Sequence, residues 1–391
     1  MKNIILLDTP ELHCSLLPLT FTRPISELTI GFGTIREKWE KLLPGNYSYS
    51  TIDYLEEIYP CSSDVSQSIV IASNILPNSD LVKAIESLPE GEMLVFDDNT
   101  AIAMNGFSNP SEATRSVVFN GQAIVIRHTY DLFLNNGKAI ISDFGTATQN
   151  TISQPISQSN TVIGNPDLIF IAEGAIAEGV IFNTKNGPIF IDKNAEIMEG
   201  SCLRGPIYIG QDATVNMATK IYGATTIGSH CKVGGEINNV IMHPYSNKAH
   251  DGFLGNSVIG SWCNLGAGCV ASNLKNDYTE IKLWDYQSRR FMRTGLQFCG
   301  LIMGDHSKAG INTMFNTATV VGIGVNIHGT GFPRNFVASF SEGSAGTGFT
   351  DVALHKFFSI AERVMARRNV TLTEPLRKLY TTLYELTEEN K

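Results

Sequence analysis

Charged residues are scarce in this chain of 391 residues: they make up 17% of it, against 43% hydrophobic residues. The net charge of −9 leaves no excess of basic residues for a general nucleic-acid or anionic-membrane binder. No apolar run reaches the ~18 residues of a membrane-spanning helix, and the N-terminal MKNIILLD is too short for a signal-peptide core. The seven cysteines form no C-x-x-C pair, which favours separate thiols in a reducing compartment. These absences predict a cytoplasmic protein that binds neither nucleic acid nor membranes.

What the chain does have is an aliphatic residue at every sixth position over much of its second half. This period suits neither an α-helix nor a long strand, but it suits a triangular coil of three short strands that turns one aliphatic residue inward on each side. The alternative, an ordinary β-sandwich, would need the same spacing by chance. The pattern therefore predicts a parallel β-helix, with inward residues at Ile163, Ile169, Ala175, Ile181, Ile191, Ile197, Leu203, Ile209, Val215, Ile221, Ile227, Val233, Ile259, Leu265, Met303, Ala309, Phe315, Val321 and Ile327.

Two stretches, residues 234–258 and 274–300, interrupt the period. Loops expelled from a solenoid gather on one face and commonly carry its chemistry. Both stretches are therefore expected to be expelled loops. Most of the polar and aromatic residues of this half fall within them.

The two ends of the chain lack the sixfold period. Residues 1–150 alternate short apolar runs with helical stretches, which predicts an α/β domain. Residues 143–160 are rich in Ser, Thr, Gln and Asn, which is typical of a linker. The β-helix is therefore expected to start near residue 151 and to extend to residue 345. Helices are expected over residues 346–391. The expected strands are MKNIILLD, SIVIAS, EMLVFDD, RSVVF, AIVI and KAIIS, and the expected helices are TIREKWEKLL and SDLVKAIESL.

One segment carries a family resemblance. Residues 246–273 read SNKAHDGFLGNSVIGSWCNLGAGCVASN, which resembles the acetyltransferase half of the bifunctional glucosamine-1-phosphate acetyltransferase/N-acetylglucosamine-1-phosphate uridyltransferase family. That family has a Lys-Ala-Gly-His-type loop followed by Leu-Gly-Asp, Asn-Ile-Gly-Ala-Gly and Cys-Asn, and the later TGLQFCGLIMGDHSKAGIN resembles its archaeal members. The resemblance implies a left-handed β-helix, a homotrimer, and acetyl-CoA as co-substrate in the groove between neighbouring β-helices.

The resemblance places the family's general base on His250. A neutral amino group can attack a thioester, and an imidazole, which titrates near neutral pH, can accept the amine's proton. The alternative is that His250 is a solvent-exposed loop histidine without a catalytic role. By the same resemblance Glu236 corresponds to a carboxylate near the sugar amine, and Lys248 and Lys282 are the candidates for contacting the sugar phosphate, or else solvated surface lysines.

Four more positions follow from the resemblance. Asn264 and Asn273 fall where the family binds the sugar and the acetyl-transfer site, although asparagine also suits a tight turn. Ala267 and Gly268 match the family's small residues beside the CoA arm, although glycine also suits a corner.

The sequence departs from the family at two positions. An aromatic hydroxyl of the family's histidine loop is Phe253 here, and its sugar-phosphate lysine is Asn238. The identity of the substrate is therefore open. Cys263 and Cys269 are read as small core residues and not as metal ligands.

The N-terminal half resembles the nucleotidyltransferase half of the same family only faintly. LLPLTFTRPISEL is similar to its Pro-Leu-Thr…Pro-Lys-Pro-Leu stretch, with Arg23 in place of the lysine as a candidate contact to nucleotide phosphate. DTPELHCS replaces the Gly-Gly-x-Gly-Thr-Arg phosphate loop, and Asn74 replaces the Mg²⁺-binding aspartate. Asp97 and Asp98 are an acidic pair that either binds a metal or is solvated surface. The resemblance implies a nucleotidyltransferase-like domain of Rossmann-like architecture over residues 1–150 and, if this domain is active, the use of UTP or dTTP and Mg²⁺.

Three functional hypotheses remain. The leading one is an enzyme that acetylates glucosamine 1-phosphate with acetyl-CoA and, if the N-terminal domain is active, couples the product to UTP. The second is a sugar-1-phosphate nucleotidyltransferase, using UTP or dTTP, whose β-helix serves only assembly or regulation. The third is a non-catalytic scaffold or sugar-phosphate sensor.

Overall fold

The computed structural model describes residues 2–388, and the chain forms two compact units. The first unit comprises Met1–Leu16, Thr22–Leu28 and Gly33–His128, and the second comprises Leu17–Phe21, Thr29–Phe32 and Thr129–Lys391. The main boundary between the compact units thus follows residue 128, and the expected domain boundary at residue 150 stays a prediction. Residue 1 and residues 389–391 of the expected domains lie outside the described residues.

The first unit is an α/β domain, as predicted. Its sheet has the N-terminal strand in the middle of three parallel strands, so that three carboxyl ends meet at one edge. In spatial order the strands are Gly45–Ser50, Lys2–Leu7, Ser68–Ala72, Ala101–Asn105, Glu92–Val95 and Arg115–Val118. The helices are Pro10–Ser15, Ile35–Leu42 and Ser79–Glu86.

Two of the expected strands of this region are absent from the sheet. AIVI contributes only an isolated bridge between Val125 and Ile75. KAIIS lies inside helix Thr129–Ala147, so its assignment as a strand and the assignment of residues 143–147 to a linker were wrong. The reason is tertiary: Ile140 and Phe144 are one helical turn apart and pack together in a buried cluster of the second unit.

The second unit is a parallel β-helix of three faces. The first face contains Thr161–Ile163, Ile181–Asn183, Cys202–Arg204, Lys220–Tyr222, the first halves of Glu236–Met242 and Phe253–Ile259, Val270–Ala271 and Met314–Phe315. The second face contains Ile169–Ile171, Ile189–Ile191, Ile207–Ile209, Thr225–Ile227, the second halves of the two long strands, Ile302–Met303, Val320–Val321 and Phe336–Val337.

The third face closes the triangle. It contains Ile176–Ala177, Glu196–Ile197, Thr214–Val215, Lys232–Val233, Asn247–Lys248, Asn264–Leu265, Lys308–Ala309, Asn326–Ile327 and Ser341–Ser344, with Gly348–Asp351 antiparallel at its end. Helices Leu354–Ala366 and Glu374–Thr387 follow, and Thr373 occupies the N-cap position of the second without a side-chain hydrogen bond. None of the helices described is long and apolar enough to cross a membrane.

The sixfold period is confirmed over most of its length. All the expected inward residues from Ile191 to Val233, and those of the later blocks, belong to one buried cluster. Ile163 and Ile181 are exceptions: their exposed fractions are 38% and 39%, and the inward positions are taken by Val162 and Phe182. The strand partners Val162, Phe182 and Leu203 lie 20 and 21 residues apart, so that a fixed step of six loses the frame in these longer coils.

The two stretches that interrupt the sixfold period have different structures. Residues 274–300 leave the coil as expected and form the hairpin Lys282–Asp285 with Arg290–Arg293. Residues 234–258, by contrast, stay within the β-helix, because two seven-residue strands run through them. The coil is only shortened: Val233 and its partner Lys248 lie 15 positions apart, against 18 for Val215 and Val233.

Candidate functional site

His250 lies on an exposed corner between the third and the first face. Two other coils hold the backbone of this corner: Asn216 Nδ2, two coils earlier, donates to the Ala249 carbonyl at 2.7 Å, and the Gly268 N–H, in the next coil, donates to the Asp251 carbonyl at 3.0 Å. Sequence reasoning expected an expelled loop here. The structure has a rigid corner, which fixes where the imidazole emerges.

Lys248 is completely buried and occupies an inward position, in register with Val233. Its ammonium donates to the carbonyls of Gly234 at 3.1 Å and of His250 at 2.6 Å. Burial lowers the pKa of Lys248 to about 8. This geometry does not support the expected contact to a sugar phosphate, because the ammonium points into the coil. Lys248 instead fastens the corner that carries His250.

The outward side of the first face forms a groove of about 430 Å³. One end is apolar and contains Ile163 and Ile181, and the other carries Arg204, Lys220 and Glu236. In register, Lys220 lies directly between Cys202 and Glu236. The groove therefore presents two cations followed by a carboxylate.

Glu236 accepts a hydrogen bond of 2.6 Å from the Tyr222 hydroxyl, and this bond, together with burial, raises the pKa of Tyr222 to about 12. The Glu236 N–H donates to the Gly252 carbonyl at 3.0 Å, and Phe253 is its strand partner. Glu236 thus lies at the end of the groove nearest the corner of His250, with its N–H bonded to a residue two positions after His250.

Other predicted residues lie elsewhere. Asn264 faces outward on the third face, in register with Asn247 and Lys308, and so lies on a different side of the coil from the groove. The Asn273 amide donates to Asn256 Oδ1 at 2.7 Å, and its role at the site stays a prediction. Lys282 is exposed on the hairpin; its contact to phosphate stays a prediction.

Ala267 and Gly268 form the corner of the coil next to that of His250. Gly268 has a φ of +70°, and a side chain there would collide with Asn312 Oδ1. The backbone therefore favours glycine here, whatever binds beside it. The Ala267 carbonyl accepts the Asn312 N–H at 2.7 Å.

Sequence reasoning missed Arg204, Lys220 and Tyr222. Their signal was present in the triplets C-L-R, K-I-Y and E-I-N, where the central aliphatic residue turns inward and both neighbours turn outward. Stacking these triplets at their coil spacing would have aligned Lys220 with Glu236.

In the first unit, the Asp8 carboxylate joins the ends of the three parallel strands. It accepts hydrogen bonds from Thr51 Oγ1 at 2.9 Å, from the Ile25 N–H at 3.1 Å and from Ser73 Oγ, and His13 Nδ1 lies 3.1 Å away. Ligands of open α/β sheets commonly bind at such an edge. Asp8 also anchors the segment that contains the predicted phosphate contact.

That predicted contact, Arg23, is buried and donates to Thr22 Oγ1 at 3.3 Å. DTPELHCS forms helix Pro10–Ser15 where the family has a glycine-rich loop. The Asn74 amide is occupied by the Ile126 carbonyl at 3.0 Å.

Asp98 is exposed, and hydrogen bonds from the side chain and the N–H of Thr100 lower the pKa of its carboxyl. It also lies 3.7 Å from Arg127, an arrangement typical of a solvated acidic pair. Within residues 2–388, no group of three or more His, Cys, Asp or Glu side chains is placed to hold a metal.

Residues 4–152 match the family model described as sugar nucleotidyl transferase. The chain is 26% identical over 291 residues to the bifunctional protein GlmU of Wolbachia pipientis wMel, an alignment that covers 68% of this chain and 61% of that protein. It is 30% identical over 169 residues to GlmU of Clostridium beijerinckii, covering 42% of this chain and 30% of that one. The chain thus spans less than two thirds of these curated relatives. The crystal structure of the polySia-specific acetyltransferase NeuO is 14% identical with a TM-score of 0.31, covering 50% of this chain and 88% of that chain.

Proposed function

Since residues 4–152 match the sugar nucleotidyl transferase family and the chain is a divergent relative of the bifunctional GlmU proteins, we propose that its β-helix N-acetylates an amino-sugar 1-phosphate with acetyl-CoA. Glucosamine 1-phosphate is the proposed substrate. The N-terminal domain would couple the product to UTP, with release of pyrophosphate, to make UDP-N-acetylglucosamine. A homotrimer in the cytoplasm, with acetyl-CoA between neighbouring β-helices beside Ala267 and Gly268, completes the proposal.

The observation that carries the proposal is the order of charges along the first face. Arg204 and Lys220 precede Glu236, and the corner with His250 follows. Glucosamine 1-phosphate carries complementary charges on adjacent carbons, a dianionic phosphate on C1 and an ammonium on C2, and Lys220 and Glu236 lie on adjacent strands. Charge-assisted hydrogen bonds to both groups would orient the amine toward the imidazole.

In the proposed reaction His250 accepts a proton from the substrate ammonium or from the attacking amine. The nitrogen forms a bond to the acetyl carbon, the bond from that carbon to sulfur breaks, and the CoA thiolate leaves and takes up a proton. The carboxylate of Glu236 holds the amino group. No covalent enzyme intermediate is needed.

A thiol-release assay on the purified full-length protein tests this function. We expect CoA release from acetyl-CoA in the presence of glucosamine 1-phosphate, and much weaker release with glucosamine, which lacks the phosphate. Release that stays at the background level with glucosamine 1-phosphate would refute the proposal.

Replacement of Lys220 by methionine tests the phosphate end of the groove. Hydrogen bonds to charged groups are worth about 1.5–3 kcal/mol, so we expect the KM for glucosamine 1-phosphate to rise by about 10-fold to 100-fold. The KM for acetyl-CoA should not change. Lys232→Met, on the exposed side of the third face, is the matched control. Equal KM values for both variants would remove Lys220 from the site.

The second candidate function is nucleotidyl transfer alone, with the β-helix serving assembly or regulation. The match of residues 4–152 favours it, as does the Asp8 cluster that anchors the segment of Arg23 at the sheet edge. Release of pyrophosphate from UTP or dTTP with a hexose 1-phosphate, unchanged in His250→Ala and without any CoA release, would support this function over the first.

A further inference from the structure

A second cavity, of about 340 Å³, lies on the outward side of the third face beneath helix Leu354–Ala366. Its floor is a row of polar residues in strand register: Asn264, Lys308, Asn326 and Glu342. Its roof consists of apolar side chains, among them Phe357, Ile360 and Ala361. This cavity is on a different face from the groove with Lys220 and Glu236, so it is a separate site.

Among the residues that the structure describes, no ion pair neutralises the Lys308 ammonium in the floor, although the buried Asp305 carboxylate attracts it without forming one. Lys308 donates to the carbonyls of Trp262 at 3.0 Å and of His306 at 2.7 Å, which uses two of its three ammonium protons. Within residues 2–388 no carboxylate lies at ion-pair distance from it. Glu342 is neutralised by Lys356, whose ammonium lies 2.8 and 2.6 Å from its two oxygens. The third proton of Lys308 is therefore available to an anion.

The side-chain amides of Asn264 and Asn326 flank Lys308 and add further hydrogen-bonding groups to the floor. Adjacent strands are ~4.8 Å apart, so the row from Asn264 to Asn326 spans about 10 Å. Within the described part of the chain neither amide has a hydrogen-bond partner, and each offers donors and an acceptor. The volume is near the lower end of the ~300–1,000 Å³ of small-molecule sites. A ligand here is small, polar along one side and apolar along the other.

We propose that this cavity is a second binding site for a sugar phosphate, with the phosphate held by Lys308 and the hydroxyls by the flanking amides and Glu342. The apolar roof would cover the C–H face of the sugar ring. Such a site is distinct from the proposed acetylation site and gives the enzyme a place to sense a sugar phosphate. Burial also lowers the pKa of Lys308 to about 8, and a bound anion would favour its charged form.

The test is calorimetric titration of the full-length protein with glucose 1-phosphate, in a Lys220→Met background that weakens the groove on the first face. We expect saturable binding that weakens at least tenfold when Lys308 is also replaced by methionine. Glucose without phosphate should bind far more weakly, and inorganic phosphate shows how much of the affinity comes from the anion alone. Lys232→Met is the matched control, because this exposed lysine lies in the same outward column of the third face.

A second variant keeps the proposal testable if the Lys308→Met protein does not fold. Ile360→Trp fills the cavity from the roof without changing any charge, and it too should abolish the binding. Absence of glucose 1-phosphate binding in the Lys220→Met background, or equal affinity before and after the Lys308 and Ile360 substitutions, overturns the proposal. Acetyl transfer is measured separately, so that failure of one proposal does not imply failure of the other.

Discussion

Replacing His250 with alanine is expected to lower kcat for acetyl transfer by about 10²-fold to 10⁴-fold, the usual contribution of a positioned general base. The KM for both substrates should change little, because the phosphate and the ammonium of the sugar are held by other groups. Within residues 2–388 the imidazole has no hydrogen-bond or ion-pair partner, so its removal should not destabilise the fold. Thiol release under saturating substrate measures the effect, and thermal unfolding checks the fold.

The matched control for this experiment is His355→Ala, which removes an exposed imidazole from helix Leu354–Ala366. It should retain full activity. A His250→Ala protein that acetylates at the wild-type rate would show that the amine loses its proton to another group or to water. A rise in KM at unchanged kcat would instead make His250 a binding residue.

The β-helix could be predicted from the sequence because its core repeats one local rule. Each coil turns in an aliphatic residue on every side, and strand partners such as Ile221 and Ile237 stack regardless of what lies outside. The rule fails where a coil changes length. Ile181 was placed inside and is exposed, since the coil before Phe182 has 20 residues and the frame of six slips.

The candidate site was less predictable for the same reason. Counting by six from Val233 passes over Lys248, yet the shortened coil puts Lys248 in the inward column. A phosphate contact was expected for this lysine from its place in the motif. That expectation failed because a motif shows which residues are near a site and not which way each side chain points. Glu236 and His250 were found by resemblance, whereas Lys220 required the register of neighbouring coils.

The helix Thr129–Ala147 shows a different limit of prediction from the sequence. KAIIS reads locally as a strand, but it is part of a longer amphipathic segment whose apolar side packs in the second unit. Its Asn136 amide donates to the Ala224 carbonyl at 2.7 Å and its oxygen accepts the Gly31 N–H at 2.8 Å. These tertiary contacts decide the secondary structure, and nothing within the five residues themselves indicates them.

Replacing Lys248 with methionine is expected to remove a pH-dependent contribution to stability. The pKa of Lys248 is about 8 in the folded protein, against an ordinary value of 10.5. Below pH 8 the lysine is protonated in both states and adds no pH dependence. Between pH 8 and 10.5 the unfolded chain holds the proton and the folded protein does not, so the free energy of unfolding rises with pH by about 1.4 kcal/mol per unit. The whole interval amounts to about 3 kcal/mol.

Urea unfolding of the wild type and of Lys248→Met at pH 7.5 and at pH 10 measures this effect. Buried thiols such as Cys231, whose pKa burial raises to about 12, lower the stability of both proteins as pH rises, and Lys308 adds equally to both. Only the difference between the two proteins therefore reports on Lys248, and it should shift in favour of the wild type by about 2–3 kcal/mol. Lys232→Met, an exposed lysine of the preceding coil, should show no such shift. A difference between wild type and Lys248→Met that is constant with pH would mean that the ammonium reaches water in solution, and Lys248 would again become a candidate for contacting the sugar phosphate.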